Sequence, residues 1–329
     1  SGIVRLMREV MLFTAAIELA GTALLSIRFI PQFGIAEGLW KAFFHAVSAF
    51  CNAGFDLMGQ REAFSNLSDY AQDPLVNLVI IALIVMGGLG FLVWHDLRAN
   101  RKWNRLSVHT RLVLIMTALL LIGGTLAIFV LEYSNPQTLG NMPVGNRVLA
   151  SLFQATTCRT AGFNTIDQGA LRSGTAVICI LLMFVGGSSG STAGGIKTTS
   201  VAVLILAAWS ALRSRRDITV FHRRIEERLV MQAVALVMAA LGLILTGSFI
   251  LYTADNVSVE RALYETVSAF STTGLSENLT PTLGVISKCW LILEMYLGRI
   301  GILTLGAAVF TRRIFEPKIR YPESKVIVG

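Results

Sequence analysis

Residues 50–55 read Phe-Cys-Asn-Ala-Gly-Phe, and the stretch returns twice, as Cys-Arg-Thr-Ala-Gly-Phe at 158–163 and Phe-Ser-Thr-Thr-Gly-Leu at 270–275. Aligned on Gly54, Gly162 and Gly274, which lie 108 and 112 residues apart, the copies share a hydroxyl six positions earlier: Ser48, Thr156 and Ser268. A bulky apolar residue follows each glycine: Phe55, Phe163 and Leu275. Each copy ends a short amphipathic stretch and sits between two long apolar segments. Self-similarity at a fixed period is the mark of one structural unit used repeatedly. Hairpins that re-enter a membrane and end in a polar loop suit an ion filter, because glycine lets backbone carbonyls turn toward an axis.

The chain around these loops is too apolar for a soluble domain. Of its 329 residues 54% are hydrophobic and 15% charged, and mean hydropathy is +0.65, against about 45–50% apolar residues in soluble domains. Apolar stretches near 7–27, 75–94, 112–131, 174–212 (interrupted), 229–251 and 283–310 meet the roughly 20 residues that a transmembrane helix needs. Six spans are therefore expected. The alternating pattern of a membrane barrel is absent, which makes the protein all-α.

A net charge of +8 would suit a nucleic-acid binder in a soluble protein, but here its distribution sets orientation, and no nucleic-acid partner is expected. Arg98, Arg101, Lys102, Arg105 and Arg111 fall in one connection, and Arg213, Arg215, Arg216, Arg223, Arg224 and Arg228 in another. Arg312, Arg313, Lys318, Arg320 and Lys325 fall in the tail. The connections that hold the three loops are poorer in Lys and Arg and carry Glu37, Asp56, Glu62, Asp69, Asp73, Asp167, Asp255, Glu260, Glu265 and Glu277. The positive-inside rule then places both termini in the cytoplasm and opens all three loops outward, in a multi-pass plasma-membrane protein embedded in the lipid bilayer. Cys51, Cys158, Cys179 and Cys289 have no CxxC spacing and indicate neither a disulfide framework nor a zinc site.

Each unit reads as an outer helix, a half-length re-entrant helix, the glycine loop and a second spanning helix. The first comprises 7–27, 38–50, 51–56 and 75–94, within a unit of residues 1–100. The second comprises 112–131, 147–158, 159–164 and 174–212, within residues 101–220. The third comprises 229–251, 260–270, 271–276 and 283–310, within residues 221–315, and a cytoplasmic tail covers 316–329. A half-helix entering from outside points its partially negative C-terminus at the membrane centre, which favours a cation there.

The middle unit departs from the others at residues 186–199, Gly-Gly-Ser-Ser-Gly-Ser-Thr-Ala-Gly-Gly-Ile-Lys-Thr-Thr. Glycine costs a buried helix about 1 kcal/mol per position relative to alanine, so the helix is expected to break there. A phosphate-binding loop is a poor fit, since Ile196 separates Gly195 from Lys197 and the flanks are membrane spans. A packing kink and a movable gate remain as readings, and the length of polar backbone favours the gate. Lys197 and Arg299 are the only basic residues assigned to membrane interiors, away from the span ends, where charge costs roughly 2.5–3.5 kcal/mol. A role facing the pore or the broken segment is expected for Arg299, while snorkelling is an equal alternative for Lys197. Glu18 and Glu294 are candidate partners for basic groups.

These motifs resemble the Trk/Ktr/HKT superfamily of potassium transporters, and its Ktr membrane-subunit branch in particular. Residues 48–59, 156–164 and 268–275 look like its second, third and fourth filter regions, residues 186–199 like its intramembrane gating loop, and Arg299 like the last-helix arginine that faces that loop. The resemblance spans the whole chain. It implies a potassium filter built from the backbone of Asn52, Ala53, Gly54 and Phe55, of Thr160, Ala161, Gly162 and Phe163, and of Thr272, Thr273, Gly274 and Leu275. Gating would involve Gly186, Gly187, Ser188, Gly190, Gly194, Gly195, Lys197 and Arg299. The superfamily carries four such units around one central pore and three are visible here, so a first unit is expected to be missing, in keeping with the start at Ser1. The resemblance further implies a dimer with a second copy, and a cytoplasmic KtrA-type regulatory ring binding ATP or ADP. Potassium would be the substrate and sodium an activator; sodium dependence is known in the superfamily, and the sequence shows no sodium site. Asp56 and Glu277, just past two filters, would concentrate cations at the outer mouth or act as ordinary solvated charges.

Two other functional classes compete with a gated channel. Broken helices also occur in alternating-access transporters, but those show paired inverted repeats rather than three units of one topology. An enzyme lacks support, since His45, His95, His109 and His222 form no ligand spacing and no nucleophile–base pair is evident. No cofactor motif is present; in particular no dinucleotide fingerprint occurs in the chain.

Overall fold

The computed structural model describes residues 2–59, 64–215 and 217–301. Glu62, Arg216, the end of the last expected span at 302–310 and the tail at 316–329 with its basic residues lie outside the described residues. The helices run in chain order as α1 (Gly2–Phe33), α2 (Ile35–Phe50), α3 (Pro74–Leu89), α4 (Phe91–Ala99), α5 (Val108–Glu132) and α6 (Val144–Thr157). They continue as α7 (Ser173–Phe184), α8 (Thr198–Leu212), α9 (Glu227–Asp255), α10 (Val259–Phe270) and α11 (Val285–Ile300). A short hairpin, β1 (Thr219–Val220) with β2 (Arg223–Arg224), interrupts the connection between α8 and α9.

The three units emerge with the expected order of parts. α1, α5 and α9 are the outer helices, and each contains a stretch long and apolar enough to cross a membrane: Met7–Phe33, Val108–Glu132 and Glu227–Asp255. The re-entrant helices are α2, α6 and α10. Their buried faces carry small side chains, such as Ala42, Ala46 and Ala49 on α2 and Ala262 and Ala269 on α10, which let neighbouring backbones approach closely. Within each unit the re-entrant helix packs on its outer helix, as α2 on α1, α6 on α5 and α10 on α9. Between units, α3 packs on α6 and α7 packs on α10. The second helix of one unit thus supports the re-entrant helix of the next, which arranges the units around a common centre.

The second helices differ from the spans expected of them. The stretch at 75–94 is not one straight helix: α3 and α4 meet at 88°. The bend falls at Gly90, whose φ of 92° suits glycine and strains other residues. The interrupted stretch at 174–212 is two short helices, α7 and α8, and α8 begins at Thr198 with Lys197 as its N-cap. Thr198 and Thr199 therefore belong to the helix rather than to the broken segment. The third second helix, α11, ends at Gly301, again with a positive φ of 89°. Sterics explain the glycine three residues before each of these two breaks. A Cβ at Gly87 would fall 1.9 Å from Phe50 O, and one at Gly298 would fall 1.7 Å from Phe270 O. Only glycine lets the second helix lie against the C-terminal carbonyl of its own re-entrant helix.

Candidate functional site

The three glycine loops leave α2, α6 and α10 with one backbone pattern. Asn52, Thr160 and Thr272 hold positive φ values of 50°, 65° and 54°, and Gly54, Gly162 and Gly274, two residues on, hold 72°, 88° and 90°. The residue between them has negative φ in every loop. An alternating sign of φ turns successive peptide planes so that neighbouring carbonyls point to one side instead of alternating. The helix ends hold this geometry in place: Ala53 N–H donates to Ser48 O (2.8 Å), Ala161 N–H to Thr157 O (3.0 Å) and Thr273 N–H to Ser268 O (2.9 Å).

The loops stand side by side. A Cβ on Gly54 would meet Ala161 O at 2.3 Å, and one on Gly162 would meet Thr273 O at 2.1 Å. The glycine of the first loop thus abuts the carbonyl of the second, and the glycine of the second abuts the carbonyl of the third. Among the described residues, the carbonyls of 52–54, 160–162 and 272–274 accept no hydrogen bond. Backbone carbonyls inside a protein are nearly always paired with protein or water. Carbonyls without a protein partner can stand in for the hydration shell of a cation.

The broken segment between α7 and α8 passes under all three loops, on the side of the re-entrant helix C-termini. A parallel bridge of Val185 with Ile196 closes its base, and Gly186 N–H donates to Ile196 O (2.9 Å). Thr192 Oγ1 donates to Phe50 O (3.0 Å) and lies 3.2 Å from Asn52 Oδ1 of the first loop. A Cβ on Gly186 would sit 3.1 Å from Thr160 Cγ2 of the second, and one on Gly194 would sit 2.1 Å from Thr272 Oγ1 of the third. The segment therefore touches the positive-φ residue of every loop.

Two further sets of contacts hold the segment. The bend between α3 and α4 is bonded to it through Ser188 N–H to Gly88 O (3.0 Å), Thr192 N–H to Gly87 O (3.4 Å) and Phe91 N–H to Gly190 O (3.1 Å). Cations take three of its carbonyls: Arg299 Nη1 donates to Thr192 O (2.8 Å), Lys197 Nζ to Ala193 O (2.6 Å) and Arg159 Nη2 to Gly186 O (3.5 Å). Lys197 is half-buried with its ammonium turned back onto the segment.

Several residues take roles that the sequence does not advertise. Arg159, only 6% exposed, is a third cation beside the segment, inconspicuous in sequence because it looks like part of a loop. The hydroxyls aligned six residues before the glycines are not equivalent. Ser48 donates to Phe55 O (2.8 Å), whereas the corresponding bond to Phe163 O comes from Thr157, and Thr156 bonds back to Leu152 O. The reason is that α6 ends one residue earlier, relative to its glycine, than α2 and α10 do. Glu18 and Glu294 form no ion pair among the described residues; Glu294 accepts from Trp290 Nε1 (2.9 Å) and Glu18 lies 3.9 Å from Cys51 Sγ.

The two acids past the first and third glycine loops are not free solvated charges. Asp56 accepts from Met58 N–H (2.8 Å) and Asn66 Nδ2 (2.8 Å), and Asn66 Oδ1 in turn accepts from Asn164 N–H of the second loop (3.1 Å). Glu277 is 8% exposed, with Arg261 Nε at 3.7 Å from its carboxylate. Burial, followed by the repulsion of Glu260, pushes Glu277 up to about 7, with Arg261 opposing and Glu265 adding to the rise.

Repeated re-entrant units around a shared centre, crossed by a segment that breaks a membrane helix, define a membrane transport protein. The chain matches the family described as TrkH, cation transport protein, over residues 2–318, and it belongs to that family. Over its whole length it is 42% identical to the Ktr system potassium uptake protein B of Bacillus subtilis (strain 168), covering 72% of that protein. It is 36% identical to the potassium/sodium uptake protein NtpJ of Enterococcus hirae, across 100% of this chain and 73% of that one. The Ktr system potassium uptake protein B of Vibrio alginolyticus is also 36% identical, across 99% of this chain and 70% of that one. The fold resembles the crystal structure of the potassium transporter TrkH from Vibrio parahaemolyticus, with a TM-score of 0.69 and 20% identity over 89% of this chain and 62% of that one.

Proposed function

We propose that this chain carries potassium across the plasma membrane through a selective pore, and that residues 52–55, 160–163 and 272–275 form three sides of its filter. The observation that carries this reading is the set of unpaired carbonyls at 52–54, 160–162 and 272–274, presented side by side by loops of alternating φ. Backbone oxygens of this kind can replace the water around a potassium ion. The names of the relatives support potassium as the substrate, and the name of the Enterococcus hirae protein supports a link to sodium.

In this reading each helix, loop and second helix is one pore unit, at 1–100, 101–220 and 221–315, and residues 186–197 are the gate. The gate blocks the pathway while Arg299, Lys197 and the α3–α4 bend hold it under the filter, and a cytoplasmic partner opens it by binding the open state more tightly. That partner is a KtrA-type nucleotide-binding ring acting on a dimer of this chain, with both termini in the cytoplasm. Rubidium uptake into proteoliposomes, with sodium as competitor, tests the reading. Preference for rubidium over sodium, lost on replacing Gly54 or Gly162 by serine, is the expected result. Equal uptake of both ions by the wild-type protein would refute it.

A further inference from the structure

Each glycine loop is held at its near end by the last turn of its re-entrant helix, through the bonds at Ala53, Ala161 and Thr273. In the first and third units a buried side chain of the same helix holds the far end. Leu57, three residues past Gly54, donates its N–H to His45 Nε2 (3.4 Å). Glu277, three residues past Gly274, donates its N–H to Glu265 Oε1 (3.1 Å). His45 and Glu265 occupy one position, nine residues before their glycines and six before the helix caps Cys51 and Ser271. They are 0% and 3% exposed.

The two side chains differ in the charge they can carry and have in common the ability to accept a hydrogen bond at that point. His45 Nδ1 lies 2.6 Å from Lys41 O, so it carries the proton and leaves Nε2 as the acceptor. Glu265 accepts further bonds from Ser276 Oγ and Thr280 Oγ1, gripping the same arm at three points. In the middle unit the grip is indirect. Gln154 and Gln168 exchange two amide bonds of 2.7 and 3.0 Å, and Gln168 Nε2 donates to Ile166 O (2.9 Å). Tyr264 of the third unit donates to Gln168 Oε1 (3.0 Å), tying the second arm to the next helix.

A filter loop needs such a brace. Its carbonyl dipoles converge and repel one another, and its non-glycine residues Asn52 and Thr272 sit at positive φ, which is unfavourable for a residue bearing a Cβ. A loop anchored at one end only would relax by turning carbonyls outward. We propose that His45 and Glu265 are positioning residues for ion selectivity, buried braces that hold the far ends of the first and third filter loops at the third residue past each glycine. The proposal rests on the filter reading above.

The test measures the ratio of rubidium to sodium uptake in proteoliposomes, beside the thermal midpoint of the purified protein. His45→Leu and Glu265→Leu are expected to lower the ratio about tenfold, the scale of losing one or more buried hydrogen bonds. Glu265→Gln and His45→Gln, which keep an acceptor, are expected to restore it to within about twofold of wild type. Leucine variants that fold with an unchanged midpoint and unchanged ratio would overturn the proposal. If they fail to fold, Glu265→Asp shortens the brace by one methylene, and a wild-type ratio in that variant would overturn it equally. Gly54→Ser in the same assay separates the two levels. Selectivity retained there sinks the filter itself, whereas selectivity lost there but kept in the leucine variants sinks only the braces.

Discussion

At the scale of single residues, Gly54 and Gly162 combine two requirements that no other residue meets. Positive φ excludes most side chains on grounds of strain, and at Gly54 and Gly162 a neighbouring loop's carbonyl occupies the space of a Cβ. Gly54→Ser and Gly162→Ser are therefore expected to reduce the potassium-to-sodium flux ratio by about tenfold or more, equivalent to ~1.4 kcal/mol. Competition of the two ions in proteoliposomes reads this directly. The buried acid past the third glycine loop gives a pH prediction. In the unfolded chain Glu277 ionises near its usual 4.5, but in the native protein only near 7. Between these values the native state holds more protons, so stability falls as pH rises from about 4.5 to 7 and levels off above that. Thermal midpoints across this range should fall by a few degrees in the wild type, and Glu277→Gln should flatten the decline. A midpoint profile identical in the two proteins would count against the raised value. The glycines were legible from the repeat alone. The braces His45 and Glu265 were not, because a histidine and a glutamate at one position do not look like a repeat until their shared bond is seen.

At the scale of elements, the bend at Gly90 and the segment at 186–197 form one hydrogen-bonded body with Thr192 at its centre. Thr192 bonds to Gly87 O, Phe50 O and Arg299 through its N–H, hydroxyl and carbonyl respectively. Releasing any of these contacts should favour the open state. Arg299→Ala removes a charge-assisted bond of about 1.5–3 kcal/mol and is expected to raise potassium flux severalfold; a fall in flux with a folded protein would contradict the latch. Shortening the segment should raise flux and weaken its control, whereas wild-type flux after the deletion would mark it as a packing kink. Gly90→Ala tests the bend. Its φ of 92° and the 2.9 Å approach of Ser189 O to a new Cβ should displace the segment and raise basal flux, measured in the absence of any regulator. The broken helix of the middle unit was readable from its run of glycines and hydroxyls. The bend in the first unit was not, since one more glycine in an apolar stretch is ordinary in membrane helices.

At the scale of the whole molecule, the connection between α8 and α9 folds into a basic hairpin rather than a loose loop. Its turn residues Phe221 and His222 hold positive φ values of 48° and 61°, an unfavourable choice for bulky side chains. Arg111 of α5 stacks on Phe221 at 5.3 Å, and Arg224 pairs with Asp217 at 3.0 Å. Neutralising Arg215, Arg216, Arg223 and Arg224 together is expected to leave membrane insertion intact, because other basic residues remain, and to weaken co-purification with a regulatory ring and nucleotide-dependent flux. Normal binding and normal nucleotide response in that variant would exclude docking at this surface. The amino-acid sequence alone determined the membrane class, the three repeated units and their loops, and the break in the middle unit. Those follow from composition, periodicity and the local cost of glycine in a helix, which are properties of a segment by itself. Tertiary structure decided which atoms meet: that the glycine of one loop abuts the carbonyl of the next, that the broken segment touches all three loops, and that Arg159 joins Arg299 and Lys197 on its carbonyls. The loop-to-loop contacts and the Arg299–Thr192 bond join residues about a hundred positions apart, and Arg159 and Lys197 reach carbonyls 27 and 4 positions away. In each of these the partner is a backbone oxygen, which every residue carries and which leaves no signature in the sequence.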